Sequence, residues 1–140
     1  MMRAIDTNVL VRAIVNDEAL QSARASALLA ENDIFIPVTV MLEFEWVLRS
    51  RYAFAPKLVA QAIAKITALP NVVVGERAAV LSAAGKAAQG WDFADALHLA
   101  LSEGCENFTT LDADLVKRAA RGEAVGTKER SKTLPLVVKL

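Results

Sequence analysis

Cysteine and histidine are nearly missing from this chain, with one of each among 140 residues, Cys105 and His98. A lone cysteine rules out an intramolecular disulfide and fits a reducing compartment, so a cytoplasmic location is expected. So few thiols and imidazoles also leave a zinc centre without its usual ligands. Net charge is lacking too, because 16 basic and 16 acidic residues cancel to +0. Nothing global therefore advertises nucleic acid, and any such contact needs a local basic patch. No apolar run approaches the ~20 residues of a membrane span, and Glu43, Glu45 and Lys65 interrupt the longer ones. The opening M-M-R-A-I-D lacks the basic-then-apolar layout of a signal peptide. Repeats, low-complexity tracts and linkers are absent as well, and a single domain over 1–140 is expected.

Apolar residues, by contrast, are abundant. They make up 54% of the chain, with a mean hydropathy of +0.34. That excess suits a buried core plus apolar surface for a partner or a second copy. Short apolar segments at 1–5, 33–37, 71–74, 107–110 and 134–140 read as strands. Between them, helical spacing predicts helices over 7–16, 17–31, 38–52, 56–69, 76–89, from 92 onward, and over 112–121. Val9, Leu10, Ala13 and Ile14 form the inward stripe of the first, and Leu20, Ala23, Ala27 and Leu28 that of the second. Residues 122–133 are polar and read as a loop. The alternation predicts an α/β sandwich, with a mostly parallel central sheet of about five short strands flanked by helices.

The acids fall in like places. Asp6 follows the first strand and Asp112 the fourth, while Asp92 and Asp95 share a face at the start of a helix. In open α/β sheets the carboxyl ends of the strands form the ligand crevice. Each aspartate is also a good helix cap, which accounts for Asp92 well and for Asp95 less well. Glu43 lies mid-helix with Thr39, Val40, Trp46 and Val47 as neighbours, and no basic residue stands three or four positions away. Glu45 has Arg49 four residues on, an ordinary surface ion pair. Two carboxylates about 4 Å apart repel by roughly 4 kcal/mol at an effective dielectric of 20. Converging acids therefore point to a divalent ion, and all-oxygen ligation favours Mg²⁺ or Mn²⁺. His98 and Cys105 read as structural residues, Cys105 as a small buried hydrophobe, and Trp46 as core.

Four stretches in register resemble a known family: D-T-N-V-L-V-R near the start, E-F-E-W-V-L-R-S, D-F-A-D-A-L, and T-T-L-D-A-D near the end. Together they resemble a PIN domain, and most closely the VapC-type ribonuclease toxins of toxin–antitoxin pairs. The resemblance runs through essentially the whole chain. It implies a PIN-like three-layer sandwich whose acidic quartet is Asp6, Glu43, Asp95 and Asp112, all four both catalytic and metal-binding. Asp92 matches an extra acid one turn earlier, and Asp114 competes less well than Asp112 for the fourth place. Thr7 and Thr110 match hydroxyls that orient the carboxylates, and Arg12 matches a basic residue that contacts substrate. The implied protein is a Mg²⁺- or Mn²⁺-dependent endoribonuclease with an RNA substrate, a VapB-like antitoxin and a homodimeric state. Arg49 and Lys86 are further candidates for phosphate contacts, and Trp46 and Trp91 for base stacking, with core packing the first reading of Trp46.

Other classes fit less well. A phosphatase of the haloacid dehalogenase type would want D-x-D after the first strand, where this chain has D-T-N. A receiver-like phospho-acceptor needs paired acids there and a lysine after its last strand. A binding-only, inactive PIN fold would not need all four acids.

Overall fold

The computed structural model describes residues 1–124 and 134–140. Its elements, in chain order, are β1 (Arg3–Ala4), α1 (Thr7–Ile14), α2 (Ala19–Glu31), β2 (Ile34–Ile36), α3 (Val38–Ser50) and α4 (Pro56–Ala68). They continue with β3 (Val72–Val74), α5 (Arg77–Ala88), α6 (Phe93–Leu101), β4 (Asn107–Thr110), α7 (Ala113–Ala124) and β5 (Leu136–Lys139). Helices alternate with short strands as expected, and every strand pairing among the described residues is parallel. The arrangement is the α/β sandwich anticipated from the alternation.

Among the described residues the five strands do not form one continuous ladder. β1, β2 and β3 pair in that order, while β4 and β5 form a separate pair. Helix α7 continues to Ala124, so the segment expected as loop from 122 begins inside a helix, and residues 125–133 of it lie outside the described residues.

Local chemistry accounts for the boundaries that matter to the site. Ile34 and Ile36 are fully buried and read as an apolar strand, which Pro37 ends and α3 follows directly. Gly90 adopts φ +103°, a conformation that favours glycine, and lets the chain turn from α5 into α6. Phe44 and Phe93 are the largest of the buried side chains, and with Leu10, Met41, Leu48 and Leu97 they lock α1, α3 and α6 around the strands.

Helix α2 packs in a different phase from the one expected. It buries Ser22, Ala25 and Leu29, and leaves Leu20 60% exposed, with Ala23 and Ala27 also outside. In α1 the inward residues are Thr7, Leu10 and Val11, and Ile14 is exposed. Cys105 is exposed rather than a buried hydrophobe. Among the described residues no helix is long and apolar enough to cross a membrane.

Candidate active site

Asp6 leaves β1 and becomes the cap of α1, its Oδ1 accepting the Val9 backbone N–H at 3.0 Å. Asp112 does the same after β4: its Oδ1 accepts from Asp114 N at 2.9 Å and Leu115 N at 3.2 Å. Asp92 caps α6, accepting the Asp95 N–H at 3.0 Å. Capping is therefore real for all three. It engages one oxygen of each carboxylate, and among the described residues the other makes no hydrogen bond.

Glu43 and Asp95 are not caps. Glu43 accepts a 3.0 Å hydrogen bond from the Thr7 hydroxyl across 36 residues. Thr7 is 9% exposed, so a buried hydroxyl on α1 steers a carboxylate on α3. The site carboxylate that Thr7 orients is therefore that of Glu43. Thr110 acts differently from expectation. Its Oγ1 accepts the Asp112 backbone N–H at 3.0 Å, shaping the loop and leaving the carboxylate alone.

Asp6 and Glu43 share a cleft of about 500 Å³, lined also by Thr7, Asn8, Val40, Trp46, Val47 and Arg51. Asp95 is set apart by its electrostatics. Burial pushes the Asp95 carboxyl up from its ordinary range, repulsion from Asp92 and Asp112 pushes it further, and His98 opposes both. His98 is exposed and near Asp95, not a core histidine. Asp6 and Glu43 thus share the cleft, while Asp95 feels the charges of Asp92 and Asp112. Among the described residues no three His, Cys, Asp or Glu side chains form a ready metal-binding group. Like-charge repulsion opposes closer approach. The donor chemistry, all carboxylate oxygen, still fits a hard divalent ion.

Neighbouring cations are mostly committed. Arg12 pairs with Asp17 at 3.0 Å and donates to Gln21 Oε1 and the Tyr52 hydroxyl, away from the acidic cleft. Arg49 binds Glu45 through Nε at 2.9 Å, and Asp92 lies close enough to hold its guanidinium further in the charged form. Lys86 lies 5.0 Å over the Trp91 ring, and burial lowers its pKa.

Three expectations for α3 need correction. Glu43 is exposed, so water reaches its carboxylate although Val40, Trp46 and Val47 beside it are apolar. Glu45 is 5% exposed, which makes its pair with Arg49 a half-buried tie and not a surface one. Trp46 is 50% exposed and lines the cleft instead of the core. Asn8 and Arg51 are cleft residues that sequence reading did not place there, and Trp46 reads in the sequence first as core and only second as a base-stacking surface. A signal existed for Trp46, since it stands one helical turn from Glu43 and must share its face.

With this geometry in view, comparison with known families is decisive. The family model described as PIN domain matches residues 4–121. The chain belongs to the PIN domain family. No curated protein and no solved structure gives a significant match. PIN domains are typically nucleases and generally bind divalent metal ions, which places this chain, at that level, among hydrolases acting on nucleic acid.

Proposed function

We propose that this PIN domain is a Mg²⁺- or Mn²⁺-dependent endoribonuclease of the VapC type, the toxin of a toxin–antitoxin pair. The observation that carries the reading is the cleft shared by Asp6 and Glu43, with a buried hydroxyl holding the second of them in place. Asp6, Glu43, Asp95 and Asp112 would hold the ion or ions, with Asp92 as an auxiliary acid on the first turn of α6. A divalent ion held there would lower the pKa of water and so supply the nucleophile for phosphodiester hydrolysis.

The chain's own residues position that chemistry. Backbone N–H groups hold one oxygen each of Asp6 and Asp112, restraining carboxylate rotation and leaving the second oxygen for a ligand. Thr7 gives Glu43 the same restraint. Exposed Leu20, Leu58, Val73 and Leu101 are apolar surface of the kind that a second copy or an antitoxin segment would cover.

The test is cleavage of an unstructured RNA by the purified protein, in Mn²⁺ and in excess chelator. Fragments are expected with the ion alone, and equal cutting in chelator, or none in either, would overturn the reading. The toxin assignment predicts that a small partner encoded beside the gene copurifies and suppresses cleavage. Light scattering is expected to show a dimer at micromolar concentration.

Thr7→Val removes the hydroxyl and keeps the side-chain shape. Groups that orient metal ligands are worth about 10- to 100-fold in activity, and a loss of that size is expected here. The Glu43 carboxylate can be resolvated, so stability should change by less than about 1 kcal/mol. Steady-state cleavage and a melting curve on the same preparation check both halves.

A further inference from the structure

We infer that the acidic cleft also contains a nucleotide subsite, in which an unpaired base of the RNA stacks on Trp46 while a neighbouring phosphate pairs with Arg51. The inference rests on the ribonuclease reading and adds to it where the strand lies.

The cleft measures about 500 Å³, inside the roughly 300–1,000 Å³ typical of small-ligand sites. One wall is α3, which contributes Val40, Glu43, Trp46 and Val47, with Arg51 directly after its last turn. Trp46 and Glu43 are three residues apart, so a base lying on the indole runs alongside that carboxylate. Half of the Trp46 surface is open. Among the described residues neither a ring nor a cation covers it, whereas Trp91 is covered by Lys86. An uncovered indole in a cleft is a sequence-tolerant platform for an unpaired base.

Arg51 completes the chemistry. Among the described residues the ion pairs are Arg12 with Asp17 and Arg49 with Glu45, and Arg51 has none although Asp6 and Glu43 line the same cleft. A guanidinium left without a carboxylate can take two phosphate oxygens at once. It also answers a problem that the acids create. Two carboxylates repel a phosphodiester, while a base carries no charge, so a strand enters best with a base over Trp46 and a phosphate against Arg51. A duplex does not offer that base, so the subsite selects single-stranded RNA.

The experiment measures binding apart from cleavage, using the full chain carrying Asp95→Asn and a short, fluorescently labelled, unstructured RNA. Adding Trp46→Ala is expected to weaken binding about 10-fold, within the range for losing one stacked base, and Trp46→Phe should stay within about threefold. Arg51→Ala should weaken binding and flatten its salt dependence by about 0.7 in slope, as for one phosphate contact on a single strand. In a Trp91→Phe chain, Trp46 emission should be quenched by the RNA and not by the same sequence annealed to its complement.

Unchanged affinity in the Trp46→Ala chain, or unchanged Trp46 emission at saturation, would overturn the inference. The two readings fail separately. Binding through Trp46 by a wild-type protein that cuts no RNA would sink the nuclease and keep the subsite. Ion-dependent cutting with the same KM in Trp46→Ala would do the reverse.

Discussion

Asp95→Asn is expected to reduce ion-dependent RNA cleavage by roughly 10²–10³-fold or more, the scale of losing a principal electrostatic group at a reacting centre. Asp6→Asn should behave alike, because it keeps an oxygen able to cap α1 and removes only the charge. Asp95→Asn carries a second signature, in stability. Burial, Asp92 and Asp112 raise the Asp95 pKa above its ordinary 3.8. A carboxyl whose pKa is raised by folding stabilises the fold while protonated. That contribution is complete below the unfolded value and is lost as pH rises through the folded one. At neutral pH the wild-type chain therefore carries repulsion that the asparagine variant lacks. Without divalent ions the variant should melt higher, by about 1 °C, since solvent screens a partly exposed group. The difference should vanish near pH 3, and Mn²⁺ should raise the wild-type melting temperature more than the variant's. A wild-type rate in Asp95→Asn would remove it from the site, whatever the melting curves show.

The second large effect separates two glutamates that stand two residues apart. Glu43→Gln is expected to lose activity, by about 10²-fold, with stability nearly unchanged, because the residue is exposed and its one tie is to Thr7. Glu45→Gln should do the opposite. The residue is 5% exposed, and its carboxylate receives both Nε and an Nη of Arg49, at 2.9 and 3.4 Å. Neutralising it costs about 1–3 kcal/mol, and the lower half of that range is expected because Arg49 is itself partly solvated. Cleavage per folded molecule should be untouched. Chemical denaturation and cleavage measured side by side decide it. If Glu45→Gln were the slower enzyme, the acid facing the cleft would have been misassigned.

Why some of this could be read from sequence and some could not comes down to the kind of signal. Elements bounded by strong punctuation, such as Pro37 before α3, Pro56 at the start of α4 and Gly90 before α6, lie where the residues suggest. Helix α2 does not offer such a signal. Its alanines and serines bury little area on any face, so Leu29 settles the phase only once a neighbour is present to receive it. On α3 the error was one of consistency. Glu43 and Glu45 project about 200° apart on a helix. Setting Glu43 outward obliges Trp46 outward with it and turns Glu45 toward the side of Met41, Phe44 and Leu48. Size argued for a buried tryptophan and charge for an exposed glutamate, and helical geometry overrode both. Arg51 was illegible for another reason. An arginine that ends a helix looks the same in sequence whether or not a carboxylate lies within reach. The tie of Arg12 to Tyr52 spans 40 residues and leaves no local trace.

The parallel pairing of every described strand bears on the order in which the molecule assembles. Parallel neighbours cannot be joined by a tight hairpin, so no ladder here can form from adjacent residues. Helical pairs such as α1 with α2 and α5 with α6 are contiguous in the chain and need only short loops to close. Folding should start among those pairs, with the ladders closing late. Asp6 and Asp112 sit at strand ends, and Glu43 reaches Asp6 only across a crossover. A half-folded chain would therefore show much of its helical circular dichroism while remaining inert, and on heating, cleavage should disappear with the ladders and ahead of the last helical signal.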